Sequence, residues 1–177
     1  MKGSARAASE YVPIVRKLPL DEFCRQNPHP VLIFFSTSKK LKPNKQSQGL
    51  TIDHLSLSDS GGTGTGTGRT RGAYLVFPIV PCGGGEGGTT VGCRSSCDVQ
   101  IDDASISKHH ATIETRRTSH WITDNKSSGG TEVNGEALDP DEPRQLVSGA
   151  GVRLGDVDLI FLEAPEFYTF IKRFFGE

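Results

Sequence analysis

Short bursts of apolar residues, cut by glycine, asparagine and aspartate, run through the C-terminal 100 residues of this 177-residue chain. Ala111–Thr115 and His120–Thr123 alternate apolar and polar positions, the period of a strand with one face buried. The same reasoning predicts strands at 74–80, 90–92, 99–101, 131–133, 145–147, 152–154 and 158–162. Turn residues separate them: Asp102-Asp103, Ser128-Gly129-Gly130, Gly149-Ala150-Gly151 and Gly155-Asp156. Asn134-Gly135 is a two-residue hairpin signal, because a type I′ turn needs positive φ at both positions. Many short strands so punctuated predict an all-β fold, an antiparallel two-sheet β-sandwich. The period then changes. Phe167, Phe170, Ile171 and Phe174 fall at i, i+3, i+4 and i+7, one face of a C-terminal helix outside the sandwich, with Pro165 and Glu166 in its first turn. Its apolar face suits packing on the sandwich.

Upstream the pattern is weaker. Met1–Ala8 is small and polar and predicts disorder. Tyr11–Leu18 supports no assignment. Pro19–Asn27 reads as a short helix, with Asp21 and Glu22 in its first turn, and Val31–Phe35 is an apolar run of strand length. Between Ser36 and Gly72 lysine, serine and glycine dominate, ending in a Gly-Thr repeat at 62–68. Such a stretch buries too little to order itself. The expected organisation is therefore an N-terminal extension at 1–38, a flexible linker at 39–72, a sandwich at 73–163 and a helix at 164–177. Neither glycine-rich stretch is a nucleotide loop: the repeat lacks the G-x-G-x-x-G spacing, and no lysine follows Gly83–Gly88 as a P-loop needs.

Composition narrows the function. The net charge of −1 gives no case for nucleic-acid binding, and 11 Lys and Arg face 5 Asp and Glu in residues 1–72 against 9 and 16 thereafter. Any basic pocket in the C-terminal part is local. Cys24, Cys82, Cys93 and Cys97 match no zinc spacing, so neither metal nor cofactor is expected. No apolar run is long enough for a membrane span, and the N-terminus has no apolar segment of the secretory kind. A cytoplasmic setting follows as the expectation.

The chemistry concentrates at two polar turns, Ser107-Lys108-His109-His110 and Asp124–Gly130. Both combine hydroxyls, glycine or tight backbone, and a cation. Such turns suit an anionic group, on which hydroxyls and free backbone N–H groups can converge. Ser107 and Ser128 offer hydroxyls and Lys108 an ammonium. No catalytic arrangement competes. There is no G-x-S-x-G elbow, and on a strand the adjacent His109 and His110 would point to opposite faces. The chain is not expected to be an enzyme.

These residues resemble a known family. Val91-Gly92, Cys97-Asp98-Val99, Ile101, Ser105-Ile106-Ser107-x-x-His110-Ala111 and Ile113 occur in order. Asp124, Ser127-Ser128, Gly130-Thr131, Val133-Asn134-Gly135, Leu138, Gly149 and Leu154-Gly155 follow. The ordered set is similar to the forkhead-associated (FHA) domain over about Tyr74–Leu162. The resemblance implies a sandwich whose loops at one end bind phosphothreonine peptides. It implies phosphopeptide contacts at Ser107, Lys108, Ser128 and Gly129, and structural support from Gly92, His110, Thr131 and Asn134. Two positions depart from the pattern. Cys93 stands where the family usually has a phosphate-gripping arginine, with Arg94 next to it, and Gly129 stands where an asparagine usually holds the peptide backbone. Arg94 is the expected replacement, its planar fork suited to two phosphate oxygens. The expected function is a phosphothreonine-binding signalling adaptor whose partner is a phosphorylated protein or peptide. A phosphate-independent interaction scaffold is the alternative, motivated by Cys93 and Gly129.

Overall fold

A computed structural model describes residues 5–36, 73–80 and 88–175. The stretch expected to be a linker lies outside the described residues. Twelve strands and three α-helices are described: β1 Arg6–Ala7, α1 Val12–Lys17, α2 Leu20–Gln26, β2 Val31–Ser36, β3 Ala73–Pro78, β4 Thr89–Gly92, β5 Val99–Gln100, β6 Ala111–Arg116, β7 Ser119–Asp124, β8 Thr131–Val133, β9 Glu136–Ala137, β10 Pro143–Leu146, β11 Gly151–Leu154, β12 Val157–Leu162 and α3 Ala164–Phe175.

The strands form two sheets, one of seven in the order β1-β3-β2-β12-β11-β8-β9 and one of five in the order β10-β7-β6-β4-β5. Their described ladders are antiparallel except for β4 with β5, which are parallel. The all-β sandwich expected from the sequence is the fold.

Its two sheets are covered differently, and the sequence pattern follows the coverage. In the five-stranded sheet only the inner face is buried. Ala111, Ile113 and Ile122 point into the main core while Glu114, Arg116 and Trp121 face outward. Hence β6 and β7 alternate. In the seven-stranded sheet the part formed by β2, β3 and the end of β12 is buried on both faces. Leu32, Phe77, Leu159 and Phe161 join the core between the sheets. Val31, Ile33, Val76 and Leu162 join a second core under the helices. A strand covered on both faces needs apolar side chains at successive positions, which is why Val31–Phe35 reads as an unbroken run. The second core is aromatic. Phe167 of α3 meets Tyr11 edge-on with ring centroids 4.9 Å apart, and Phe23 of α2 meets Tyr168 at 5.2 Å. The Tyr168 hydroxyl donates to the Leu18 carbonyl at 3.1 Å. Each fully buried phenylalanine contributes about 2–3 kcal/mol.

Two upstream features differ from expectation. Within Met1–Ala8, expected to be disordered, Arg6–Ala7 pairs with Val76 and Leu75 of β3, and a 3-10 turn that runs on from Ala8 to Tyr11 buries both of these residues. Composition gave no sign of this, because the order comes from a sheet edge and a hydrophobic pocket supplied by distant residues. The unassigned stretch after it holds α1, with Pro13 in the first turn, where its missing N–H costs nothing. The strand at 31–36 inserts between β3 and β12, so the N-terminal segment is part of the sandwich.

The register also places the site. Leu154 pairs with Val157 across the Gly155-Asp156 turn and with Thr131 on the other side. That turn, the loop 125–130 before β8 and the loop 101–110 before β6 therefore meet at one end of the molecule.

Candidate functional site

The loop before β6 is pinned to β4 at its start, where Ile101 N–H donates to the Gly92 carbonyl at 3.0 Å, and twice at its end. His110 N–H donates to the Val91 carbonyl at 2.8 Å, and Cys93 N–H donates to the Ser107 carbonyl at 3.1 Å. Gly92 lets β4 pass against this loop. A Cβ there would lie 2.3 Å from the Lys108 carbonyl oxygen, so any larger residue forces the loop away. Cys97 fills the space beneath. Its thiol donates to the same carbonyl at 3.1 Å, and burial pushes its pKa up. It is thereby held as a neutral packing group.

The second loop is organised by Asp124, which is buried at the end of β7. It accepts the Ser127 N–H at 2.9 Å and the hydroxyls of Ser127 and Thr131 at 2.5 and 2.6 Å. Burial alone would raise the carboxyl's pKa. The hydrogen bonds from Ser127 and Thr131 outweigh it and hold the group below the ordinary aspartate value. Sequence reasoning did not rank Asp124 among the site residues. Its signal was present: an aspartate followed at i+3 by serine is an Asx-type turn.

Two side-chain bonds join the loops, beside the main-chain bond from Asn125 N–H to the His110 carbonyl at 2.9 Å. Ser128 N–H donates to the Ser107 hydroxyl oxygen at 2.9 Å. His110 makes the other. Its Nδ1 accepts the Ser107 N–H at 3.0 Å, so its Nε2 carries the proton and donates to the Gly130 carbonyl at 2.9 Å. The histidine is wholly buried and its role is to brace. The Ser107 oxygen accepts but its own proton is uncommitted. No hydrogen bond among the described residues engages the Ser128 hydroxyl or the Gly129 N–H. Among the described residues three donors at this seam are thus without an acceptor, two hydroxyls and one amide.

The cations are placed less tightly. Lys108 is exposed beside Ser107, and Arg94 is exposed in the turn closed by Cys97 N–H to the Arg94 carbonyl at 3.0 Å. Neither takes part in an ion pair among the described residues. Cys93 turns its half-buried side chain against the main core, whereas Arg94, like Ser95 and Ser96 after it, is exposed. Lys126, by contrast, is paired with Asp141 at 2.9 Å.

Of the residues expected to support the site, Gly92, His110 and Thr131 touch the two loops. Asn134 does not. It stands at the far end of β8, where its side chain accepts the Gly151 N–H at 2.9 Å, and with Gly135 it has the positive φ angles, 53° and 82°, of the predicted hairpin. Gly129 has a reason of its own. A Cβ there would fall 2.8 Å from Gly155 Cα and 2.9 Å from the Ser105 carbonyl oxygen, both main chain. The packing of this chain leaves no room for an asparagine at 129.

The sequence model of the FHA domain matches residues 89–155, which contain all of these loops. The chain carries a forkhead-associated domain. Among curated relatives, the oxoglutarate dehydrogenase inhibitor of Corynebacterium diphtheriae is 35% identical over 77 residues, 44% of this chain and 52% of that protein. The glycogen accumulation regulator GarA of Mycobacterium tuberculosis is 31% identical over 78 residues, 44% of this chain and 46% of that one. The chain spans about half the length of these relatives. A solved structure from work on phosphothreonine-dependent FHA domain interactions aligns with 75% of this chain and 95% of its own, at 17% identity and a TM-score of 0.45. The β-strands of residues 6–7, 31–36, 73–78 and 157–162, outside the matched residues, complete the seven-stranded sheet.

Proposed function

We propose that the FHA domain of this chain binds phosphothreonine peptides through Ser107, Lys108, Ser128, Gly129 and Arg94, and acts as a non-catalytic adaptor. The observation that carries the reading is the Ser128 N–H to Ser107 Oγ bond. It brings together two loops 21 residues apart in sequence while leaving the Ser107 and Ser128 hydroxyl protons and the Gly129 N–H free. A phosphate with three acceptor oxygens is a ligand that uses several such donors at once. Lys108 and Arg94 supply the counter-charge, both exposed and without an ion-pair partner among the described residues. Charge-assisted bonds to a dianion are about twice as strong as neutral ones. Gly92, His110 and Thr131 hold the loops, and Asn134 shapes the neighbouring hairpin.

The partner is a protein carrying phosphothreonine, and the chain's role is regulatory, as the names of its inhibitor and regulator relatives suggest. The setting is the cytoplasm, a reading supported by three free thiols at Cys24, Cys93 and Cys97. No helix among the described residues is long and apolar enough to cross a membrane.

The test is titration of the full chain with a degenerate phosphothreonine peptide pool and with the same pool unmodified. Binding of the phosphorylated pool alone is expected. Equal binding of both pools would overturn this reading in favour of a phosphate-independent scaffold.

A further inference from the structure

Ser105 lies two residues before Ser107 and belongs to a second seam between the loops, away from the Ser107–Ser128 bond. Its hydroxyl donates to Asp103 Oδ1 at 2.6 Å and accepts the Asp156 N–H at 3.0 Å. Asp103 Oδ1 also accepts the Ser105 N–H at 2.9 Å, and these bonds, the hydroxyl's first, hold its carboxyl below the ordinary range. The turn that Asp156 belongs to is tied onward: Gly155 N–H donates to the Gly130 carbonyl at 3.0 Å. The Ser105 carbonyl and Gly155 Cα together crowd the open side of Gly129.

Those contacts close a ring. Ser107 joins Ser128, the 128–130 main chain joins Gly155, Asp156 joins Ser105, and Ser105 returns to Ser107 through one residue. A ring of hydrogen bonds constrains each member more than an isolated bond does, because no single loop can shift without breaking a second contact. Removing the Ser105 hydroxyl opens the ring at its one side-chain link outside the phosphate-facing seam. Asp156 N–H then loses its acceptor, and the 155–156 turn, still bonded to the Gly130 carbonyl, is no longer tied to the Ser105 loop.

We propose that Ser105 is a positioning residue for the phosphopeptide site: through the Gly155-Asp156 turn it sets where the Ser128 and Gly129 donors stand relative to Ser107. The proposal rests on the phosphothreonine reading above and deepens it. It makes the β11–β12 turn, 50 residues downstream of Ser105, a working part of the site although it need not touch the ligand.

The experiment uses the full chain with Ser105→Ala, Ser105→Thr, which keeps the hydroxyl, and Phe167→Leu as a control that destabilises the helical layer on the other core. Affinity for the degenerate phosphothreonine pool and amide exchange at Ser128 and Gly129 are both measured. Loss of one bond worth about 1 kcal/mol corresponds to roughly fivefold. Ser105→Ala is therefore expected to weaken binding about fivefold and to speed exchange at Ser128 and Gly129 by a similar factor. Ser105→Thr is expected to restore both, and Phe167→Leu to leave affinity unchanged. An affinity unaltered in Ser105→Ala, or a loss of the same size in Phe167→Leu at matched stability, would overturn the positioning role. Should wild type bind no phosphothreonine peptide, the functional reading fails by itself. The exchange measurement then decides whether Ser105 orders Ser128 and Gly129.

Discussion

On one side of the site, Ser107 and Ser128 are bonded to each other, braced by His110 and backed by the buried Asp124 with its three hydrogen bonds. On the other, Arg94 rises from a four-residue turn with its guanidinium in solvent and no ion-pair partner among the described residues. The first side is preorganised: folding has already met the entropy of fixing those donors, so little is lost when a ligand arrives. The second must order a long side chain at the moment of binding. Changes to the hydroxyl side should therefore cost stability and affinity together, whereas changes to the cationic side should touch affinity and its salt dependence alone.

The largest effect is expected at Asp124. Removing its carboxylate leaves the Ser127 N–H and two hydroxyls without their acceptor in a buried place, so Asp124→Ala should lose about 3 kcal/mol in urea unfolding and should not bind phosphopeptide measurably. The same group sets a pH response. Its folded-state pKa lies below the unfolded value of about 3.9. Its stabilisation is therefore complete above the unfolded value and is lost as pH falls through the folded one. Between about pH 5 and 2 wild type should lose more stability than Asp124→Asn; parallel curves would mean the carboxylate is not the organiser of this loop.

Next comes Gly129→Asn, which restores the residue common in the family. The obstructing atoms are main chain, so overpacking of about 2 kcal/mol is expected, with weaker rather than tighter peptide binding. Tighter binding at unchanged stability would show that the 129–155 contact yields easily. Ser107→Ala should cost about 1 kcal/mol of stability, for the Ser128 N–H left without its partner, and roughly tenfold in affinity as the phosphate loses a donor as well. Arg94→Ala is the smallest. Its thermal midpoint should match wild type, and affinity should fall about fivefold at low salt and less at 0.5 M, as exposed charge pairs are screened. A drop in stability with Arg94→Ala, or none with Ser107→Ala, would break the contrast between the two sides.

Much of the fold was legible because its periods are local. Ala111–Thr115 alternates since β6 has one wet face, and Phe167 to Phe174 keeps the helical period since α3 has one dry stripe. Asn134-Gly135 specified its own turn. The short elements that escaped, Arg6–Ala7, the 3-10 turn after it, α1 and β9, carry no period long enough to read. The hydroxyls of Ser107 and Ser128 were legible as donors by residue type and by the family resemblance. Asp124 was harder to rank, because a carboxylate near a proposed phosphate site reads as repulsive until its hydrogen bonds turn it inward.

The sequence by itself determined most of the strands, where the tight turns fall, and which residue types can meet a phosphate. These follow from backbone sterics, side-chain period and donor chemistry within a few neighbouring residues. Only the tertiary structure decided that Val31–Ser36 enters the sheet between β3 and β12, about 125 residues away along the chain. It likewise decided that Ser107 meets Ser128 and that glycine is the residue that fits at 129 beside Ser105 and Gly155. Register and close approach depend on which distant faces cover one another. An apolar run such as Val-Leu-Ile-Phe-Phe states that both its faces will be buried, and it leaves open by what.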